Sequence, residues 1–381
     1  MFRGSWKIAR IAGIDIFVHW SFALIIIYVL TVELMDNATM AQAWLRVLLV
    51  LCVFVCIVMH EYGHALTARK FGIRTREITL LPIGGVARLE KMPEDPKQEL
   101  LVALAGPAVN VVIAVVLGGL LYAAGGLSRL TNVEALSDNI IGFVAQLAFV
   151  NAFLVVFNMI PAFPMDGGRV LRAILALWLD YGKATNIAAN VGKIFAVLLG
   201  IASFTLGAPF LVFIAIFVYF GAAQEAKIVQ TKMLLTGVTV QQVMSRDVRA
   251  LTPLTRLSDL VQELSAGLQD FPVMDGHELT GMLYQQQIIQ AVRAGQQDQN
   301  VASVMAKEFE TATPEESLDA ALTRMQETQV PTLPVLQDGQ LVGVLNVNHI
   351  NQWMMFQMAR NAASKLAQRM SGRKPDDAYD V

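Results

Sequence analysis

Long apolar runs fill the first 230 residues, and they restrict this chain more than anything else in it. A helix needs about 20 apolar residues to cross the hydrocarbon core of a bilayer. Stretches of that kind lie at about 17–35, 43–68, 100–124, 140–163, 187–206 and 209–227, so the sequence predicts about six transmembrane helices. Lipid offers no hydrogen bonds, so backbone in the hydrocarbon must satisfy itself, as a helix does. Of 381 residues, 55% are hydrophobic and 16% are charged, against roughly a quarter charged in a soluble domain. The excess is uneven, because the chain after residue 230 has ordinary soluble composition. The predicted fold class is a polytopic α-helical membrane protein with a C-terminal α/β portion.

The charges suggest an orientation. Lys and Arg collect on cytoplasmic sides. Arg3, Lys7 and Arg10 precede the first segment, and Arg69, Lys70, Arg74, Arg76, Arg88, Lys91 and Lys97 fall between the second and third. Arg169, Arg172 and Lys183 separate the fourth and fifth, Lys227 and Lys232 end the series, and the other loops hold little beyond Arg129. Both termini are therefore expected in the cytoplasm of a multi-pass cell-membrane protein. The basic N-terminus leads into an apolar segment with no small-residue cleavage site, which predicts a retained anchor. A net charge of −2 leaves no large basic face for nucleic acid. Cys52 and Cys56, four apart in one apolar run, are expected as packing residues.

Residues 238–356 repeat internally. "VQQVMSRDVRALTPLTRLSDLV" at 240–261 matches "VASVMAKEFETATPEESLDAAL" at 301–322, and "FPVMDGHELTGML" matches "LPVLQDGQLVGVL". The period is about 60 residues, and two copies do not make an array. Each copy reads as strand, helix, two short strands and a helix, with Asp275-Gly276 and Asp338-Gly339 as hairpin signals. The predicted boundaries are 1–230 for the membrane domain, 238–295 and 300–356 for the repeats, and 357–381 for a helix end and polar tail. The pair resembles tandem CBS domains, which usually act as regulatory modules.

Ionisable groups inside the second apolar run are costly in lipid and so are functional candidates. "MHEYGHALTARKFG" at 59–72 places His60 and His64 four apart, on one helix face. Two imidazoles so placed can chelate zinc, and Glu61 between them can act on a zinc-bound water. Catalytic zinc usually takes three protein ligands and leaves one position open. Asp166, in "FNMIPAFPMDGGRVLRA" at 157–173, is the obvious third, in a segment broken by Pro161, Pro164, Gly167 and Gly168. Two alternatives stand beside it: Asp166 as a plain helix cap, and Cys56, one turn before His60, as the ligand.

Taken together these motifs resemble the site-2 protease family of intramembrane metalloproteases. The resemblance runs through "GIDIFVHWSF" at 13–22, "HEYGH" at 60–64, "LPIGGVARLE" at 81–90, "AGPAVN" at 105–110 and "NMIPAFPMDGGR" at 158–169. It implies that His60, His64 and Asp166 bind one zinc per chain and that Glu61 is the general base. It implies hydrolysis of a peptide bond in or near the transmembrane segment of a membrane-associated protein, in the subgroup whose membrane domain ends in a CBS pair, which includes sporulation-type proteases. Arg69 and Lys70 mark the cytoplasmic end of the second helix, which puts His64 and His60 about 8 to 14 Å inward at about 1.5 Å per residue.

Further expectations follow. A strand over Ile78 to Leu81, including Leu80, with Gly84 and Gly85 beside it, would pair with an unwound substrate. A short hairpin without that role is the alternative. Asn158 could donate to the attacked carbonyl or order a water, and His19 could support or gate the site. Asn110 is assigned to helix packing. CBS pairs commonly bind adenine nucleotides, through an Asp after a G-x-x-[ST] stretch. Here "GMLYQQQII" has Tyr284 and Gln287 at those positions, and "GVLNVNHIN" has Asn346 and His349. Neither copy holds the Asp, which counts against a nucleotide and leaves homodimerisation or a cytoplasmic partner. Two other classes remain: a CBS-gated ion transporter, and a catalytically dead scaffold.

Overall fold

Residues 5–19 carry apolar side chains in short alternating stretches, and they pair as strands. The computed structural model describes residues 4–82, 84–89, 93, 95–125, 140–263 and 269–370. Strand β1 (Ser5–Ile11) turns back at Ala12-Gly13 into β2 (Ile14–His19), antiparallel, with Ile11 opposite Ile14. Both turn residues have positive φ, 50° and 81°, the signature of the tight hairpin turn that matches strand twist. Helix α2 (Met40–Lys70) pins the turn: the Tyr62 hydroxyl donates to Ile11 O at 2.9 Å and Arg69 donates to Ala12 O at 2.6 Å.

This hairpin shifts the start of the first expected span. Residues 17–19 belong to β2, and the apolar helix that follows, α1 (Phe22–Met35), has 14 residues. Five of the described helices are long and apolar enough to cross a membrane: α2, α3 (Pro96–Ala123), α4 (Ile140–Asn158), α6 (Tyr181–Thr205) and α7 (Phe210–Leu235). Between α4 and α6 lies a short helix, α5 (Asp166–Leu175). Start signals are local. Thr39 and Gln42 form a reciprocal cap on α2, and Asp95 and Asp180 accept from backbone N–H groups at the starts of α3 and α6.

Strand β2 runs parallel to β3 (Thr75–Leu81), and β3 pairs antiparallel with β4 (Gly84–Leu89), in the order β1-β2-β3-β4. The link from β2 to β3 is α1 and α2 together. Ile14 and Ile78 are fully buried against Ala65 of α2, which seats the sheet on that helix.

Burial in the helical unit is inverted relative to a soluble protein. Ala43, Ala65, Ala103, Ala188 and Ala222 are inside, whereas Phe204 is 82% exposed and Phe213 69% exposed. Lipid does not drive large apolar side chains inward, so helices associate through small residues that allow close approach.

One charged cluster is sealed within this unit. The guanidinium of Arg172, on α5, is 1% exposed. Its Nε donates to Glu99 Oε1 of α3 at 2.8 Å, with Nη2 on the same oxygen, and its Nη1 donates to Glu225 Oε1 of α7 at 2.8 Å. Phe163 and Tyr181 stack on it, each ring 5.0 Å away. Four elements meet on one cation.

Contacts divide the chain into Met1–Val229 and Gln230–Val381. In the second unit, α8 (Leu257–Glu263), β5 (Phe271–Asp275), β6 (Glu278–Leu283) and α9 (Gln285–Arg293) form one repeat. The other contains α10 (Val301–Val304), α11 (Leu318–Thr328), β7 (Thr332–Gln337), β8 (Gln340–Asn346) and α12 (Val347–Met370). The repeats exchange their leading segments. Ser245 bridges Val344, and Met282 bridges Ala306. A Cβ on Gly343 would lie 2.8 Å from Met244 Sδ, and one on Gly281 would lie 2.7 Å from Met305 Sδ. The repeated Val-Met and Gly positions are therefore two ends of the same contact. The Asp338-Gly339 hairpin forms as expected, whereas in the first repeat Asp275 pairs with Glu278 and the loop is Gly276-His277. The polar tail after Met370 lies outside the described residues.

Removing one partner of a buried ion pair leaves the other charge stranded. Arg172→Met is expected to destabilise the helical unit by about 3–5 kcal/mol, and Glu99→Gln added to it should recover part of the loss. Thermal unfolding in detergent checks this: a double variant no more stable than Arg172→Met would count against the pairing.

Candidate metal centre

Helix α2 carries His60 and His64 one turn apart, both rings turned inward, 7% and 4% exposed. Asp166, 5% exposed, enters from the first turn of α5. His60 Nε2, His64 Nε2 and Asp166 Oδ2 form a triangle with every side 3.1 Å. Ligand atoms around a tetrahedral zinc at about 2.0–2.1 Å lie about 3.3 Å apart, so this triangle is close to the size the ion requires. Among the described residues these three are the one group of histidine, cysteine and acidic side chains disposed to hold a metal.

The space at the triangle exists because position 106 is glycine. A Cβ there would lie 2.2 Å from His64 Nε2 and 2.7 Å from His60 Nε2. Two imidazoles and a carboxylate around such a cradle match the donor set of hydrolytic zinc sites. The other ring nitrogens are also engaged. His64 Nδ1 donates to the Val102 carbonyl at 2.7 Å, so its hydrogen is on Nδ1 and the lone pair of Nε2 faces the triangle. His60 Nδ1 meets Asn110 Oδ1 at 2.5 Å.

Asp166 reaches the site through the irregular stretch 159–165 that its prolines and glycines predict. A Cβ on Gly167 would fall 2.3 Å from Ile160 O, and one on Gly168 would fall 2.5 Å from Phe163 N. The two glycines let α5 press against that stretch and turn the carboxylate inward. Asp166 is the first residue of α5, after the N-cap Met165, and its Oδ2 is turned to the two histidines. Arg169 Nη1 stands 3.9 Å from Asp166 Oδ1. Cys56 is outside the triangle, accepting a hydrogen bond from Asn151 of α4 at 3.4 Å.

Glu61 follows His60 on α2 and is half-buried. A Cβ on Gly85 of β4 would lie 3.1 Å from Glu61 Cγ, so this strand passes directly over the glutamate. Ile78 and Leu80 are elsewhere: β3 has β2 on one side and β4 on the other, and both residues are buried. Their backbone is already paired. Among the described strands β4, with Gly84 and Gly85, is the one on this side whose outer edge carries no partner. His19 ends β2, where its Nδ1 accepts from the Ser21 hydroxyl at 2.6 Å and from Ser21 N at 3.3 Å. Asn158 closes α4, half-buried, and among the described residues no hydrogen bond ties it to the triangle. Asn110, assigned from sequence to packing, is the residue that touches the site. Its spacing of four from Gly106 was the available signal, because the two share the face of α3 turned to the histidines.

A profile of Peptidase family M50 matches residues 48–199, and CBS domain profiles match 240–294 and 301–355. A zinc metalloprotease of Methanocaldococcus jannaschii is 34% identical over 285 residues, which cover 73% of this chain and 78% of that relative. Rip3 of Mycobacterium tuberculosis is 28% identical over 379 residues, 91% of this chain and 92% of its own. Among solved structures, a site-2 protease of Methanocaldococcus jannaschii aligns at 38% identity over 58% of this chain and 95% of that chain, with a TM-score of 0.43.

The triangle sets an expectation for metal content. Purified protein should hold about one zinc per chain, and Asp166→Ala and Gly106→Ala should each lose most of it, one by removing a donor and the other by filling the cradle. Elemental analysis after zinc loading decides: Gly106→Ala retaining full zinc would rule out the cradle.

Proposed function

Because the chain belongs to the site-2 protease family of zinc metalloproteases, Peptidase family M50, and carries a tandem CBS pair, we propose that it cuts a peptide bond in or beside a transmembrane segment of another protein. The observation that carries this is the 3.1 Å triangle of His60 and His64, on a helix long enough to cross a bilayer, and Asp166, on the short helix α5, with Glu61 next to His60. Zinc held there supplies Lewis acidity, which favours ionisation of water near neutral pH and polarises a peptide carbonyl. The chain's own residues do the rest. His60, His64 and Asp166 would supply three ligands, the number usual in catalytic zinc sites, which keep a further position for water or substrate. Glu61 accepts the proton of the attacking water and delivers it to the departing amine. An ion transporter needs no carboxylate in that position.

A transmembrane helix hides its peptide groups in hydrogen bonds and must unwind before attack. The free edge of β4 supports a way to hold the unwound form. An extended substrate adds to the sheet along that edge, and the contact of Gly85 with Glu61 brings the paired backbone alongside the base. The sequence expectation thereby moves from β3 to β4. Basic residues flanking the helices support a cytoplasmic location for both termini and the CBS pair.

The CBS pair is proposed as the regulatory module. Its side chains at the usual sugar-binding positions are used locally. Tyr284 N donates to Gln287 Oε1 at 2.9 Å, and His349 N donates to Asn346 Oδ1 at 2.8 Å. Burial, followed by the nearby Asp270 and Glu310 carboxylates, pushes the Tyr284 phenol up to about 12, so it stays neutral at physiological pH. These features favour docking of a cytoplasmic protein, or of a second copy, over an adenine nucleotide.

Glu61→Gln should keep its zinc and lose cleavage of a membrane-protein substrate by about 10²–10⁴-fold or more. Retained cleavage would remove Glu61 from the chemistry, and retained cellular function without cleavage would favour a scaffold. Proline at position 87 should abolish cleavage while zinc content stays normal. Unchanged cleavage by Ala87→Pro would end the strand-addition proposal.

A further inference from the structure

The Asn110 side chain leaves one matter open that the metal ligands alone do not decide. Its amide oxygen and nitrogen are nearly the same size, so the group fits beside His60 in either of two orientations. Only one serves a metal site. With Oδ1 toward His60, the ring hydrogen sits on Nδ1 and Nε2 presents a lone pair to the triangle. With Nδ2 toward His60, the ring must accept at Nδ1, and its hydrogen moves to Nε2, where it blocks a ligand.

We infer that Asn151 is a positioning residue that makes this choice, acting on His60 through Asn110. The direction can be followed from a group that cannot reverse. The Leu147 carbonyl on α4 only accepts, and Asn151 Nδ2 donates to it at 2.8 Å. The second hydrogen of that nitrogen points to Cys56 Sγ at 3.4 Å. Asn151 Oδ1 therefore faces the other way, where Asn110 Nδ2 donates to it at 2.8 Å. That leaves Asn110 Oδ1 turned to His60 Nδ1. Every link has one polarity, and it begins at a backbone carbonyl on a helix that supplies no ligand.

Burial makes the order binding. Asn110 and Asn151 are both 0% exposed, so no bulk water can take the place of a missing partner. A role confined to gluing helices together needs only that the asparagines bond each other, and either orientation would serve. The relay needs this one.

The inference rests on the metal-binding role of His60, His64 and Asp166, and the test separates the two. Full-length protein in detergent is titrated with zinc against a competing chelator, as wild type, as Asn151→Leu and as Asn151→Leu combined with Asn110→Asp. Cobalt-loaded samples report ligand geometry by visible absorption. Asn151→Leu should weaken zinc by about 10–100-fold, the usual effect of losing a partner behind a ligand, and should alter the cobalt spectrum. The added Asn110→Asp places an obligatory acceptor against His60 Nδ1 and should restore most of the affinity without Asn151. Asn151→Ala is read in the same way should the leucine prevent folding. Wild-type affinity in Asn151→Leu or Asn151→Ala, or no recovery in the double variant, overturns the relay while the metal site stands. A wild type that takes up no zinc overturns both.

Discussion

Three donor atoms 3.1 Å apart, taken from two separate stretches of chain, require α2, α3 and α5 to pack more closely than ordinary side chains permit. The rest of the helical unit follows from that requirement. A Cβ on Gly63, between the histidines on α2, would lie 2.6 Å from the Ala105 carbonyl oxygen on α3, and Gly106 is the next residue along. Gly167 and Gly168 do the same for α5. In water such interfaces would sacrifice apolar burial. In lipid they sacrifice little, because large side chains facing outward are already in an apolar solvent.

The Asp166 carboxylate is carried by a helix that is weak by itself. With ten residues, α5 is below the length at which an isolated helix holds. Its fixed position comes from Arg172, nearly two turns beyond Asp166, locked between Glu99, Glu225, Phe163 and Tyr181. One end of α5 offers its charge to the site and the other end is anchored by charge. The same short element thus joins the metal centre to α3, α6 and α7.

What the sequence disclosed follows from how local each signal is. His60, Glu61 and His64 are three residues of one helix turn, and their chemistry shows in five letters. Asp166 meets His60 and His64, and Cys56 stays outside their triangle, only in the folded chain, since a partner from a distant segment has no spacing rule. The β1-β2 hairpin was absorbed into an expected span because Ile14, Ile16, Phe17 and Val18 look equally apolar in a strand and in a helix. Pairing with β1 and β3 separates them, and leaves 14 residues to α1. Ile78 and Leu80 were correctly placed in a strand, but which strand lies at an edge is a property of the whole sheet. The repeats were legible from their period. Why both carry Met and Gly was not, because each pair meets only after the leading segments cross over.

The parallel pairing of β2 with β3 has a consequence for how the chain is made. All of α1 and α2 is synthesised between Val18 and its partner Leu80. At about 5–20 residues per second that interval is about 3–12 s, during which β2 waits with one edge unfilled. The helices that separate the strands must enter the bilayer and fold back before the sheet can close. Membrane insertion is therefore a step in assembling the sheet, and the strand that passes over Glu61 is laid down only after the histidines are already in place.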